Sequence, residues 1–215
     1  MSYIVTRRSE RGDAKWAVEA SEEIIDAIVN DLVEAGFDPD QARAAARMLH
    51  MDSPPRKETI LGSTYEVEEE IEPFSYPVEL SEDDNGTLLV TFPDVRGAIT
   101  FGDNKEDALG HAVDALETIL LACILDRKDI PAPSAAQGRP TVRPTLLGTL
   151  KVMLYQAMRE RGWRKADLAR ALNIDPRQVD RLLDLRHAST VKQLEQALAA
   201  CGKRADVSVR ELIAA

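Results

Sequence analysis

The sequence predicts an α+β chain: a small antiparallel sheet with a long helix, then an all-α helix-turn-helix domain, and before both a helical N-terminal extension. Three observations predict it. Apolar residues alternate with a period of two from Phe74 to about Asp103, then recur with a helical period up to Cys123 and again from Leu147. A composition break rich in Pro, Ala and Ser lies between Pro131 and Pro144. The expected domains are 1–73, 74–137 and 138–215.

In the extension, Ser21 is a plausible N-cap, and Ile24, Ile25, Ile28, Leu32 and Val33 form an apolar stripe that Gly36 ends. Asp38 and Pro39 open a second helix through Ala42, Ala46 and Leu49. Each helix has one apolar face, so the pair needs the body, another copy or a partner to pack against. The segment SPPRKETILGSTYEVEEEIEP, with two prolines and an acid run, reads as a linker, with one short strand suggested at Tyr65–Val67.

From Phe74, FSYPVELSED, TLLVTF and GAITFGD read as a three-stranded meander whose first turn is Asn85-Gly86. Asp103 with Glu106 suggests a capping box for the long helix, whose stripe is Ala108, Leu109, Ala112, Val113, Leu116, Ile119, Leu120 and Cys123. That helix stops before Pro131, and RPTVRPTLL offers an edge strand. A helix over about 147–161 ends at Gly162. Lys165–Leu172 and a second short helix capped by Asp175 and Pro176 follow, joined by a turn at Asn173 and Ile174. Val191–Ala200 closes the domain, and Ala205–Val209 suggests a terminal strand.

Charge is divided unevenly. Residues 138–215 carry 15 Lys and Arg against 8 Asp and Glu, whereas residues 1–73 have 8 against 17 and residues 74–137 have 4 against 12. A chain of net charge −10 would attract phosphate poorly if that charge were spread evenly; the basic C-terminal part points to a nucleic acid. No stretch of 18 consecutive apolar residues and no apolar leader occurs, so a soluble cytoplasmic protein with no membrane partner is expected. Cys123 and Cys201 read as buried thiols.

Arg177 and Gln178 occupy the first turn of the second short helix, where arginine suits guanine and glutamine suits adenine; Arg181 lies one turn on. Arg164, Lys165 and Arg186 flank it and suit phosphates. Asp180 and Asp184 on the same helix would repel a phosphate, so the reading face must be narrow. Catalysis finds little support. Glu79, Asp83, Asp84 and Asp94 are the carboxylates a metal-dependent nuclease would use, but Asp83 and Asp84 read as turn residues and Asp94 follows Pro93. His50, His111 and His187 lack nucleophile partners and metal-ligand spacing. No cofactor or metal is expected, and no enzyme.

The spacing LARALNIDPRQVDRLL, with Ala169, Ile174 and Val179 at its packing positions, resembles the lambda-repressor/Cro-like helix-turn-helix family. The stretch from Tyr76 through the long helix to Ser134 looks like the N-terminal domain of HicB-type antitoxins, and LKVMLYQAMRERGWRKADLARAL looks like their C-terminal helix-turn-helix. The likeness runs from about Tyr76 to Arg210, outside residues 1–73. It implies a degraded RNase H-like body that neutralises a small basic HicA-like ribonuclease toxin, joined to a domain that represses the shared operon at operator DNA. A homodimer or higher oligomer follows, because short recognition helices usually read paired half-sites. The open edge and loops of the meander are the expected toxin-binding face, with Phe92, Asp94, Val95 and Thr100. The residues leave open a stand-alone regulator whose acidic body senses a ligand or dimerises.

Overall fold

The computed structural model describes residues 3–9, 12–18, 21–47, 56–69 and 72–207. It is a mixed α+β structure with small antiparallel sheets and several helices. The chain divides into two units, residues 1–73 with 134–139, and residues 74–133 with 140–215.

In the first unit, β1 (Tyr3–Arg8) and β2 (Ala14–Val18) form a hairpin, α1 (Ser21–Glu34) and α2 (Pro39–Ala46) follow, and β3 (Arg56–Ile60) and β4 (Ser63–Glu69) form a second hairpin. The sheet order is β2-β1-β4-β3, antiparallel throughout. The helical pair therefore packs on its own sheet: Ile24, Ile28, Val29, Leu32, Ala42 and Ala46 share a core with Val5, Val18, Ile60, Tyr65 and Val67. This corrects the expectation of a helical extension and a linker. The acid run as far as Glu69 belongs to a strand in which Tyr65 and Val67 point inward and the intervening Glu66 is half-exposed. The β3–β4 turn was obscured because its two residues, Leu61 and Gly62, both take positive φ (48° and 82°), a geometry usually signalled by Asn-Gly.

A polar node crosses this core. Asp31 of α1, 6% exposed, accepts a hydrogen bond from the Tyr65 hydroxyl at 2.7 Å and pairs with the Arg7 guanidinium of β1. Asp38 caps α2, its carboxylate accepting from the amides of Asp40 and Gln41. The capping side chain of Ser21, the position of Leu49 and the position of His50 lie outside the described residues.

In the second unit, β5 (Tyr76–Pro77) leads to the meander β6 (Glu79–Glu82), β7 (Leu88–Thr91) and β8 (Ile99–Gly102), paired in that order. The turn at Asp83–Gly86 places only Gly86 at positive φ. Helix α3 (Lys105–Leu125) packs across one face of this sheet. Its cap is Asn104, one residue later than expected: Asn104 Oδ1 accepts from the Asp107 amide, and the Asp107 carboxylate accepts from the Asp103 amide, each at 3.0 Å. The close approach explains Gly102, where a Cβ would lie 2.3 Å from the Ala108 nitrogen. By length and composition α3 is apolar enough to cross a membrane, but Ala108, Ala112, Leu116, Leu120 and Ile124 are buried in the unit's core.

Strand β9 (Thr141–Val142) pairs with β5 at the edge where the prolines are tolerated. Then come α4 (Leu146–Glu160), α5 (Lys165–Leu172), α6 (Pro176–Leu183) and α7 (Val191–Ala200). The sheet, α3 and these four helices bury their apolar residues in one continuous core, so the composition break at Pro131–Pro144 does not separate two cores. Polar contacts join α3 and the loop after it to the helices, Arg159 of α4 reaching the Arg127 carbonyl and Asp129 among them. Glu117 accepts from the Thr145 amide and hydroxyl at 2.8 and 2.7 Å, and the Lys128 carbonyl accepts from the Tyr155 hydroxyl at 2.7 Å. Residues 205–207 form no strand, and 208–209 lie outside the described residues.

Candidate nucleic-acid interface and partner face

The α5–α6 pair is shaped by its caps. Asn173 ends α5 in the left-handed conformation (φ 54°), and Asp175 starts α6 by accepting from the Arg177 amide at 2.8 Å, with Pro176 in the first helical position. Val179, Leu182 and Leu183 face the core, which leaves Arg177, Gln178 and Arg181 exposed on the other side of a strongly two-faced helix. Beside them is a cleft of about 460 Å³ whose lining includes Gln178, Arg181, Ser189, Gln193 and Gln196.

Asp180 of α6 and Asp184 at its C-terminal cap are both engaged. Lys165 Nζ lies 2.7 Å from Asp180, and Arg186 Nε lies 3.4 Å from Asp184. The flanking cations therefore neutralise part of the negative charge on the helix itself. Arg164 is exposed at the start of α5, where its backbone amide donates to Asp167 at 2.7 Å. That bond, before the help of Arg170, holds the Asp167 carboxyl below its ordinary pKa.

Lys151 went unrecognised in the sequence. It lies on α4, fully buried, and its ammonium donates to the backbone carbonyls of Arg181, Asp184 and His187. A cation thus closes the C-terminal end of α6, where carbonyls are left without helical partners and the helix dipole is negative. Desolvation lowers its pKa, with Asp184 and Glu117 opposing. The sequence signal was a lysine within the apolar stripe Leu147, Leu150, Leu154 and Met158.

The meander offers a second surface. In register, Leu80, Val90 and Thr100 form the row toward α3, while Glu79, Thr91 and Ile99, and then Ser81, Leu89 and Phe101, form the outer rows. Ile99 and Phe101, on the edge strand β8, are 59% and 62% exposed. Phe92 and Val95 are 4% and 0% exposed, so these two expected partner-face residues are core: successive turns through 92–98 fold them under the sheet. Thr100 and Asp94 are half-buried. The exposed apolar residues of the outer rows are Ile99 and Phe101, one position either side of Thr100, as a period of two requires.

His111 of α3 ties this edge down, with Nδ1 2.9 Å from the Phe101 carbonyl and Nε2 3.7 Å from Asp107. The carbonyl bond, then the Asp107 charge, raises its pKa above 6.5. His187 approaches the Ser189 hydroxyl at 3.4 Å. Among the described residues no group of three or more His, Cys, Asp or Glu is placed to hold a metal ion. Glu79 is exposed on β6, and Asp83 and Asp84 form the first turn. Cys201 is buried and Cys123 half-buried; burial raises both thiol pKa values.

Residues 75–153 match the model of the HicB_like antitoxin of bacterial toxin-antitoxin system family. The chain is 36% identical over 132 residues to Antitoxin HicB 2 of Photorhabdus laumondii subsp. laumondii, covering 61% of this chain and 94% of that protein. Antitoxin HicB of Pseudomonas fluorescens is 36% identical over 140 residues, 63% of this chain and 94% of its own length. Antitoxin HicB of Escherichia coli K12 is 30% identical over 129 residues, 60% and 94%. With nearly the whole length of these relatives aligned to it, the chain belongs to the HicB antitoxin family.

Proposed function

We propose that this antitoxin neutralises a small basic HicA-like ribonuclease toxin through the sheet of residues 74–137 and represses its own operon through the helices of residues 138–215. The body is then a degraded RNase H-like fold without catalysis, and α5–α6 a lambda-repressor/Cro-like helix-turn-helix. The observation that carries the DNA half is the outer face of α6, where Arg177, Gln178 and Arg181 are exposed while Asp180 and Asp184 are held by Lys165 and Arg186. An exposed arginine–glutamine pair in the first turn suits base edges in the major groove. Arg164, Lys165 and Arg186 then contribute positive potential toward phosphates. A single copy reads few bases, so a homodimer or higher oligomer on paired half-sites is the working form.

For the toxin half, the support is the acidic charge of residues 74–137 and the outward Ile99 and Phe101 on β8, an edge strand among the described residues. Acidic surroundings speed encounter with a basic partner, and the buried apolar contact sets the lifetime. The test is growth of cells expressing the small reading frame adjacent to this gene, with and without this chain. Arrest relieved by the chain is the expected result; a stably expressed neighbour that causes no arrest, or arrest the chain does not relieve, contradicts it.

A further inference from the structure

A second cavity, of about 340 Å³, lies where the end of α3 meets α4, α5 and α6. Its floor is apolar, with Ile124, Met158, Trp163 and Leu183. Its titratable lining, apart from the Tyr155 phenol, is four cations, Arg127, Arg159, Arg164 and Lys165, with no carboxylate among the lining residues. That is a marked local excess in a chain of net charge −10. Two of the cations reach out of the cavity to exposed acids: Arg159 to Asp129 at 2.5 Å and Lys165 to Asp180 at 2.7 Å. The Tyr155 hydroxyl is already committed to the Lys128 carbonyl. Small-molecule sites have this volume and this make-up, mostly apolar with a few convergent polar groups.

We propose that this cavity binds a small amphipathic monocarboxylate, its tail against Trp163, Met158 and Leu183 and its carboxylate at the basic rim, and that occupancy weakens operator binding. The charge of the lining selects the anion, and the floor selects a tail of aliphatic or aromatic carbon. The link to DNA runs through Lys165. A ligand carboxylate competes with Asp180 for that ammonium and returns negative charge to the outer face of α6, beside Arg177 and Arg181. This second half rests on the DNA-binding reading; the binding site itself does not.

The experiment uses the full chain, decanoate below its micelle range as the probe, and decanol as the neutral control, with binding followed by tryptophan emission. Decanoate is expected to saturate and decanol to bind about tenfold more weakly or worse, the worth of one charge-assisted contact. Arg127→Asn, at a residue with φ 57° that asparagine tolerates, should weaken decanoate several-fold without lowering the unfolding temperature. Ala166→Phe, which fills the cavity from its exposed side, should remove the saturable signal. Equal binding of decanoate and decanol, or full decanoate affinity in both variants, overturns the site. Operator retention is measured in parallel and should fall at saturating decanoate. Saturable binding with unchanged operator affinity overturns the coupling, whereas a chain that retains no operator even without decanoate contradicts the DNA reading and leaves the fluorescence result standing.

Discussion

Two side chains carry more of the structure than their sequence positions announced. Lys151 satisfies three backbone carbonyls at the end of α6 from a fully buried position. Replacing it with methionine keeps the volume and removes the donors, and should cost about 2 kcal/mol in urea unfolding, within the range for charged hydrogen bonds. Its pKa is lowered in the fold, so the unfolded chain binds more protons in the window between the folded value and 10.5. Stability from this group should therefore rise with pH through that window, and the rise should vanish in the methionine variant. His111 behaves oppositely. Its folded pKa is raised, so its contribution is complete below 6.5 and is lost as pH rises through the folded value. A proton NMR titration should place His111 above 6.5, and Asp107→Asn should bring it down; an ordinary value in the parent chain contradicts the Phe101 tether. Leu61 is the converse case, a residue ill-suited to its φ of 48° and 43% exposed. Leu61→Asn should raise the stability of the first unit by about 0.5–1 kcal/mol, read from its thermal midpoint.

At the scale of elements, legibility followed the strength of the local signal. The meander, α3 and the short helices α5 and α6 were readable because period and turn residues agree, and at α6 the cap as well: Asp175-Pro176 starts α6, and Gly162 follows α4. The first unit was half legible. Its helices showed an apolar stripe, but β1 ends in Arg7-Arg8 and β4 is rich in Glu, and Leu61-Gly62 hides the second hairpin. Sequence reasoning also located β8, on which Thr100 is the one residue of the expected partner face. Phe92 and Val95 became core because residues 92–98 turn rather than extend, and no period applies to a turn. The close packing of β8 on α3 gives a direct check. Gly102→Ala should destabilise the second unit by about 1–3 kcal/mol, since backbone cannot yield as a side chain can. A variant as stable as the parent would show that the β8–α3 approach is looser than described.

At the scale of the molecule, the composition break suggested separate modules, but the sheet, α3 and α4–α7 share one core. Linkers are recognised by composition, and contacts such as Glu117 with Thr145 are between residues far apart in sequence, so no local pattern reports them. Shared packing does not require shared function. The outward residues of β8 and those of α6 belong to different elements, and each set can be altered without touching the core. The most direct measurement is therefore a crossed pair of variants, Ile99→Asp with Phe101→Asp, and Arg177→Ala with Gln178→Ala, each assayed for relief of toxin arrest and for operator preference at fixed salt. The β8 pair should lose relief and keep operator binding. The α6 pair should keep relief and lose operator preference, by about 1–3 kcal/mol for each good base contact. Loss of both activities in either folded variant, or of neither in both, would contradict the account.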